Sequence, residues 1–113
     1  SRCVRIRRAT GRQARAQAVW IAALDPWRAM GYTAAGLGRW LGRMGSRGRV
    51  WLAVEGNDVC GVAVRLPDVL LGEFLALVAV APSAQGRGVG RRLVDGVIPR
   101  GRWLWVSSDA DNR

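Results

Sequence analysis

The residues best placed to do chemistry lie together in Gln85-Gly-Arg-Gly-Val-Gly-Arg-Arg92, directly after the apolar run Leu75-Ala-Leu-Val-Ala-Val80. A turn of this kind aims several main-chain N–H groups, and the positive end of the helix that follows, at one point in space. That arrangement grips a pyrophosphate. Glycines suit it because a Cβ would hold the phosphate away from the backbone. Arg87 and Arg91 add positive charge around the turn, although solvated arginines at a helix start are an equally common outcome. The backbone therefore carries the argument.

Missing residue types narrow the chemistry further. Histidine is absent, which removes Ser-His-Asp and Cys-His nucleophile systems and histidine metal sites. No carboxylate or cysteine cluster stands in for them, so no metal is expected. Lysine is absent too, which excludes a P-loop lysine and a Schiff base. The turn is not a dinucleotide fingerprint, because Arg91 occupies the position of the last glycine in Gly-x-Gly-x-x-Gly. Chemistry done by positioning and backbone hydrogen bonds survives this filter, and acyl transfer from a thioester is of that kind.

Several elements must position the turn. Cys3-Val-Arg-Ile-Arg7 alternates like a half-buried strand, and Gln13 to Asp25 is a helix candidate stopped by Pro26. Thr33 caps a second helix whose Leu37, Trp40, Leu41 and Met44 share a face, with Gly45 ending it. Val50, Leu52 and Val54 alternate as a strand, Gly56-Asn57-Asp58 makes a hairpin turn, and Val59–Arg65 returns. Pro67 to Gly72 reads as a loop. Phe74–Val80 is the central strand, a helix over 87–98 carries Val89, Leu93 and Val97 on one stripe, and Arg102–Val106 is the last strand. The strand–helix–strand crossover predicts a parallel, right-handed pair.

The strand, the Gln85-x-x-Gly88-x-Gly90 turn and the helix, in that order, resemble the acetyl-CoA loop of the GNAT superfamily of N-acetyltransferases. The element order resembles the GNAT core along nearly the whole chain. The resemblance implies an α/β (α+β) fold, with a mixed, mostly antiparallel sheet of about five strands and three helices. It implies acetyl transfer from acetyl-CoA, as cosubstrate, to an amine acceptor. Val78, Ala79 and Val80 would hydrogen-bond the pantetheine arm, and the amide of Val80 or its neighbour would meet the oxyanion. Gln85 would shape the turn, while Gly86, Arg87, Gly88, Val89, Gly90 and Arg91 would hold the pyrophosphate. Asn112 resembles an asparagine that touches the CoA. Glu73 is the candidate general base, with a structural role open beside it, and Glu55 is the weaker, exposed alternative. No residue matches the family's acid tyrosine; Tyr32, with Trp27, would line the acceptor site or simply pack. The family's last helix and two further strands are lacking after Asp109-Ala-Asp-Asn-Arg113, so a homodimer through the apolar last strand, with Trp103, Trp105 and Val106, is expected. A non-catalytic acyl-CoA-binding module is the second reading.

Composition bounds the rest. At 113 residues the chain is expected to form a single domain, residues 1–113. Cys3 and Cys60 match no disulfide or zinc spacing. No apolar run approaches the ~20 residues of a membrane span, and no leader architecture opens the chain, which favours the cytoplasm. The net charge of +10 rests on arginine alone. Arg2, Arg5, Arg7, Arg8, Arg12 and Arg15 cluster early without the interleaved aromatics that stack bases, so nucleic acid is not favoured as the main partner.

Overall fold

The computed structural model describes residues 3–69, 72–98 and 104–106. The chain divides into two compact units, Arg8–Val50 on one hand and Ser1–Arg7 with Trp51–Arg113 on the other.

The helical unit begins at a capping box. Thr10 Oγ1 accepts from the Gln13 amide at 3.1 Å, and Gln13 Oε1 accepts from the Thr10 amide at 3.0 Å. This starts α1 (Gly11–Arg15) ahead of the expected Gln13. The single helix expected to Asp25 is in fact two. At Gln17 the amide turns to Ala14 O, and its side-chain amide takes Gln13 O at 3.1 Å, which closes α1 before α2 (Ala18–Ala22) begins. In α3 (Ala34–Ser46) Thr33 is the N-cap, accepting from the Gly36 amide at 3.0 Å. Leu37, Leu41 and Met44 are buried along it, with Trp40 half-buried.

Gly45 does not end α3. It lies inside the helix, where a Cβ would come within 2.7 Å of Thr10 O and 2.9 Å of Ala14 Cβ. It is the point at which α1 and α3 touch backbone to backbone. The stop is Gly48, at φ 72°: its amide bonds Gly45 O at 3.0 Å while the Arg49 amide bonds Met44 O at 3.0 Å, the paired bonds of a Schellman motif.

The other unit carries a five-stranded sheet in the order β1-β2-β3-β4-β5. The strands are β1 (Val4–Arg8), β2 (Val50–Glu55), β3 (Asp58–Val69), β4 (Gly72–Val80) and β5 (Leu104–Val106). The fold is the mixed α/β one expected: β3 and β4 are antiparallel, whereas β4 and β5 are parallel, with Glu73, Phe74 and Leu75 opposite Leu104, Trp105 and Val106. In β2 the expected alternation gives way to burial on both faces, from Val50 through Val54.

Two features of the β3–β4 ladder depart from the sequence reading. Strand β3 extends through Pro67, where a loop was expected, because the register jumps from the Leu66–Phe74 pair to the Val69–Gly72 pair. That jump skips the residue that lacks an N–H. Val64 then faces Leu77 while Arg65 faces Leu75, so Ala76 is the extra residue of a bulge in β4.

Helix α4 (Val89–Val97) lies on this sheet. Val89, Leu93 and Val97 are buried in one cluster with Trp51, Ala63, Leu75, Val78 and Val80. Gly61 sets how closely the helix approaches: a Cβ there would lie 2.8 Å from Leu93 Cδ1 and 3.2 Å from Val89 Cγ1. Arg65 fastens the far end, donating through Nη1 to Val97 O at 2.7 Å while its guanidinium lies 4.9 Å from the centre of the Trp51 ring. Among the described residues no helix is long and apolar enough to cross a membrane. Trp103 and Asn112, together with the side chains of Glu73, Trp105 and Val106, lie outside the described residues.

Candidate functional site

The site is assembled where β4 hands over to α4. After Val80 the chain drops off the sheet, with the Ala81 amide still donating to Cys60 O at 2.9 Å. A 3-10 turn (Pro82–Ala84) follows, and Gln85 reaches back across it, donating through Nε2 to Val80 O at 3.1 Å. This bond ties the start of the glycine turn to the end of the strand.

Gly86 and Gly88 then take φ values of 84° and 77°, in the left-handed region. Only glycine adopts this without strain. Among the described residues a Cβ at either position would meet nothing within 4 Å, so the glycines serve conformation and leave open space above the turn. Gly88 is the N-cap of α4, no side chain caps it, and the first turn holds no acidic residue. The first helical bond of the turn runs from the Arg92 amide to Gly88 O. The amides of Val89, Gly90 and Arg91 precede it and lie at the positive helix end, a ready anion site.

The arginine side chains of the turn have partners within the protein. Arg87 is bound by Glu55, with Nη1 3.0 Å from Oε2 and Nη2 3.1 Å from Oε1, a fork-to-fork pair. Its pKa is raised by the hydrogen bonds and charge of Glu55. Arg91 lies 3.7 Å from Asp95 in an exposed pair, and Arg92 donates to Val4 O at 2.8 Å. Glu55, expected to be an exposed hairpin residue, has a side chain only 12% exposed. Both of its oxygens accept from the Arg87 guanidinium. Next to it the Cys60 thiol donates to Ala53 O at 3.4 Å, and burial pushes its pKa up, with Glu55 adding to the effect.

Val78, Ala79 and Val80 are buried on β4 opposite Ala63, Val62 and Gly61. Glu73 is at the other end of the same strand, its main chain opposite Leu104. In the helical unit Trp27 is buried and Tyr32 is half-exposed, its amide bonded to Trp27 O at 3.1 Å. Two contributors were not foreseen, Glu55 as the partner of Arg87 and Gly61 as the seat of α4. Nothing in the linear pattern marks either, because each acts on residues far along the chain. Among the described residues no cluster of acidic, cysteine or histidine side chains could hold a metal ion.

A strand ending in a glycine turn that opens an uncapped helix presents main-chain amides as an anion cradle on a mixed sheet. A family model for the acetyltransferase (GNAT) domain matches residues 46–111. The chain belongs to the GNAT acetyltransferase family. No curated protein sequence matches it.

Solved structures share the fold. An aminoglycoside N-acetyltransferase, AAC(6')-Iy, in complex with CoA superposes with a TM-score of 0.71 at 18% identity, over 99% of this chain and 81% of that one. A GNAT acetyltransferase of Bacillus cereus ATCC 10987 gives a TM-score of 0.71 at 16% identity, over 97% and 74%. A diaminobutyrate acetyltransferase of Paenibacillus lautus, solved with L-2,4-diaminobutyric acid and coenzyme A, gives 0.64 at 19% identity, over 86% and 57%.

Proposed function

We propose that the chain transfers an acetyl group from acetyl-CoA to an amine. The observation that carries this reading is the uncapped start of α4 at Gly88, with open space over Gly86 and Gly88. In it, the amides from Gly86 to Arg91 hold the pyrophosphate. The pantetheine arm runs beside Val78, Ala79 and Val80, where a main-chain amide meets the charge that develops on the thioester oxygen. The amine nitrogen forms the C–N bond as the C–S bond breaks. The amine gives up a proton to a base, and the departing thiolate takes one up.

Position 73 is the proposed source of the base. Glu73 precedes Val78 by five residues and Val80 by seven. At ~3.4 Å per residue these separations are roughly 17 and 24 Å along the strand. Both spans exceed the reach of a glutamate side chain with one bridging water. A base at Glu73 therefore needs a chain of waters, shorter to an oxyanion donor at Val78 than to one at Val80. Asn112 as a CoA contact, and a cytoplasmic setting, belong to the same reading.

Calorimetric titration with acetyl-CoA tests it. Micromolar binding that disappears in Gly88→Glu supports the loop as the CoA site, and no binding by folded wild type refutes it. One observation favours a binding-only module instead, namely that both oxygens of Glu55 are committed to Arg87. Mass spectrometry on a panel of amines separates the two. Binding without acetylated product under any condition would leave the module.

A further inference from the structure

The helical unit carries a second feature, unrelated to the glycine turn. Arg12 and Arg15 of α1, and Arg39, Arg43 and Arg47 along and just after α3, line one open groove of about 720 Å³ together with Ser46. All five guanidinium side chains are exposed, and among the described residues none of the five makes an ion pair. Asp25 is the sole carboxylate in Arg8–Val50, and it lies 3.7 Å from Arg28, outside the groove. Arginine-rich composition explains why these residues are not lysine. It does not explain why like charges gather around one groove without a carboxylate between them.

The groove has two rails. Arg39, Arg43 and Arg47 recur every fourth residue, so they form one row about 12 Å long at ~1.5 Å per residue. Arg12 and Arg15 form the other. The floor between them stays low because α3 presents glycine there: a Cβ at Gly38 would lie 3.5 Å from Arg15 Cγ, and one at Gly42 3.8 Å from Arg15 Cβ. Arg15 thus lies with its stem on glycine and its charged head toward solvent.

We infer that this groove binds the phosphate backbone of single-stranded nucleic acid, without regard to base sequence. Guanidinium forks match phosphate geometry bidentately. Packed helices with ~8–10 Å between axes leave a channel for one extended strand, too narrow for a duplex to lie in. Among the described residues no aromatic side chain lines the groove, so bases are not stacked and sequence is not read. The inference does not depend on the acetyl-transfer reading.

The test is fluorescence anisotropy of a labelled oligothymidylate on the full chain over a range of salt. Five phosphate contacts at ~0.7 counterion each predict a slope of about −3.5 in log K against log salt. Arg39→Ser combined with Arg43→Ser should weaken binding about tenfold or more at low salt and flatten the slope by about 1.4. Arg28→Ser, with a smaller charge change outside the groove, should cost less than about twofold. Arg39→Lys with Arg43→Lys keeps the charge and should give an intermediate loss, which also guards against misfolding of the serine variant. Absence of a complex at low salt, equal loss per charge removed at Arg28, or equally tight binding of polyglutamate would each overturn the proposal.

Discussion

Arg87 and Glu55 are joined by two hydrogen bonds, of 3.0 and 3.1 Å, across the mouth of the glycine turn. Arg87, a cation of the glycine turn, is thus already paired with a carboxylate from the end of β2. Ligand phosphate and Glu55 compete for one guanidinium. Glu55→Gln removes a negative charge beside a polyanion and releases Arg87, and both effects have the same sign. CoA should bind roughly three- to tenfold more tightly to this variant at low ionic strength. The gain should shrink as salt rises. Calorimetry at two salt concentrations measures both, and weaker binding by the variant would show that the pair instead shapes the turn.

Gly86→Ala and Gly88→Ala separate conformation from space. Neither new Cβ meets an atom within 4 Å, so the cost is that of a left-handed L-residue, about 1–2 kcal/mol. Thermal melting should register that loss at both positions. CoA affinity should fall further than stability does, because the methyl enters the space above the turn.

The seat of α4 should be intolerant of volume. Gly61→Val drives a side chain against Leu93 Cδ1, already 2.8 Å from the ideal Cβ. A loss of about 1–3 kcal/mol is expected in denaturant unfolding, larger if α4 is displaced. Leu93→Ala should cost about 2–5 kcal/mol from the opposite side of the same contact. Because the two residues touch, the double variant Gly61→Ala with Leu93→Ala should be less damaged than the sum of its singles.

Stability should decline in alkali through Cys60. Its folded pKa is raised above the ordinary 9.0 by burial, so the folded state holds the thiol proton after the unfolded chain has lost it. The contribution is complete below that ordinary value and is lost as pH climbs from it through the folded pKa. Cys60→Ala should flatten this part of the stability–pH curve while lowering stability at neutral pH through the lost packing. An unchanged alkaline slope in Cys60→Ala would assign the decline to other groups.

The glycine-turn side of the fold was readable where its determinants are local. Gln85, Gly86 and Gly88 follow an apolar run and precede Val89, Leu93 and Val97, and these short-range patterns specify strand, turn and helix in order. The bond from Thr33 to Gly36 is equally local. Reading failed where the cause lies elsewhere in the chain. Gly45 looked like a helix stop, because glycine commonly is one, yet its role is contact with Thr10 and Ala14. Glu55 looked exposed because its partner is 32 residues away. Ala76 was invisible as a bulge, since an unbroken apolar strand carries no alternation to reveal a change of phase.

That bulge makes β4 a strand with two phases. Leu75 on one side of Ala76, and Val78 and Val80 on the other, join one buried cluster although an odd number of steps separates the first from the rest. Loss of Ala76 itself would restore strict alternation and leave Leu75, Val78 and Val80 an even number of steps apart, still on one face. A residue added to β3 between Val64 and Arg65 would instead pair with Ala76 and keep the odd spacing. Either Leu75 or Val78 and Val80 would then leave the cluster, and the turn at Gly86 would swing with them. The cradle is therefore aimed by a counting error built into the strand, and in this family member the spacing from position 73 to the glycines is a dimension of the site in its own right.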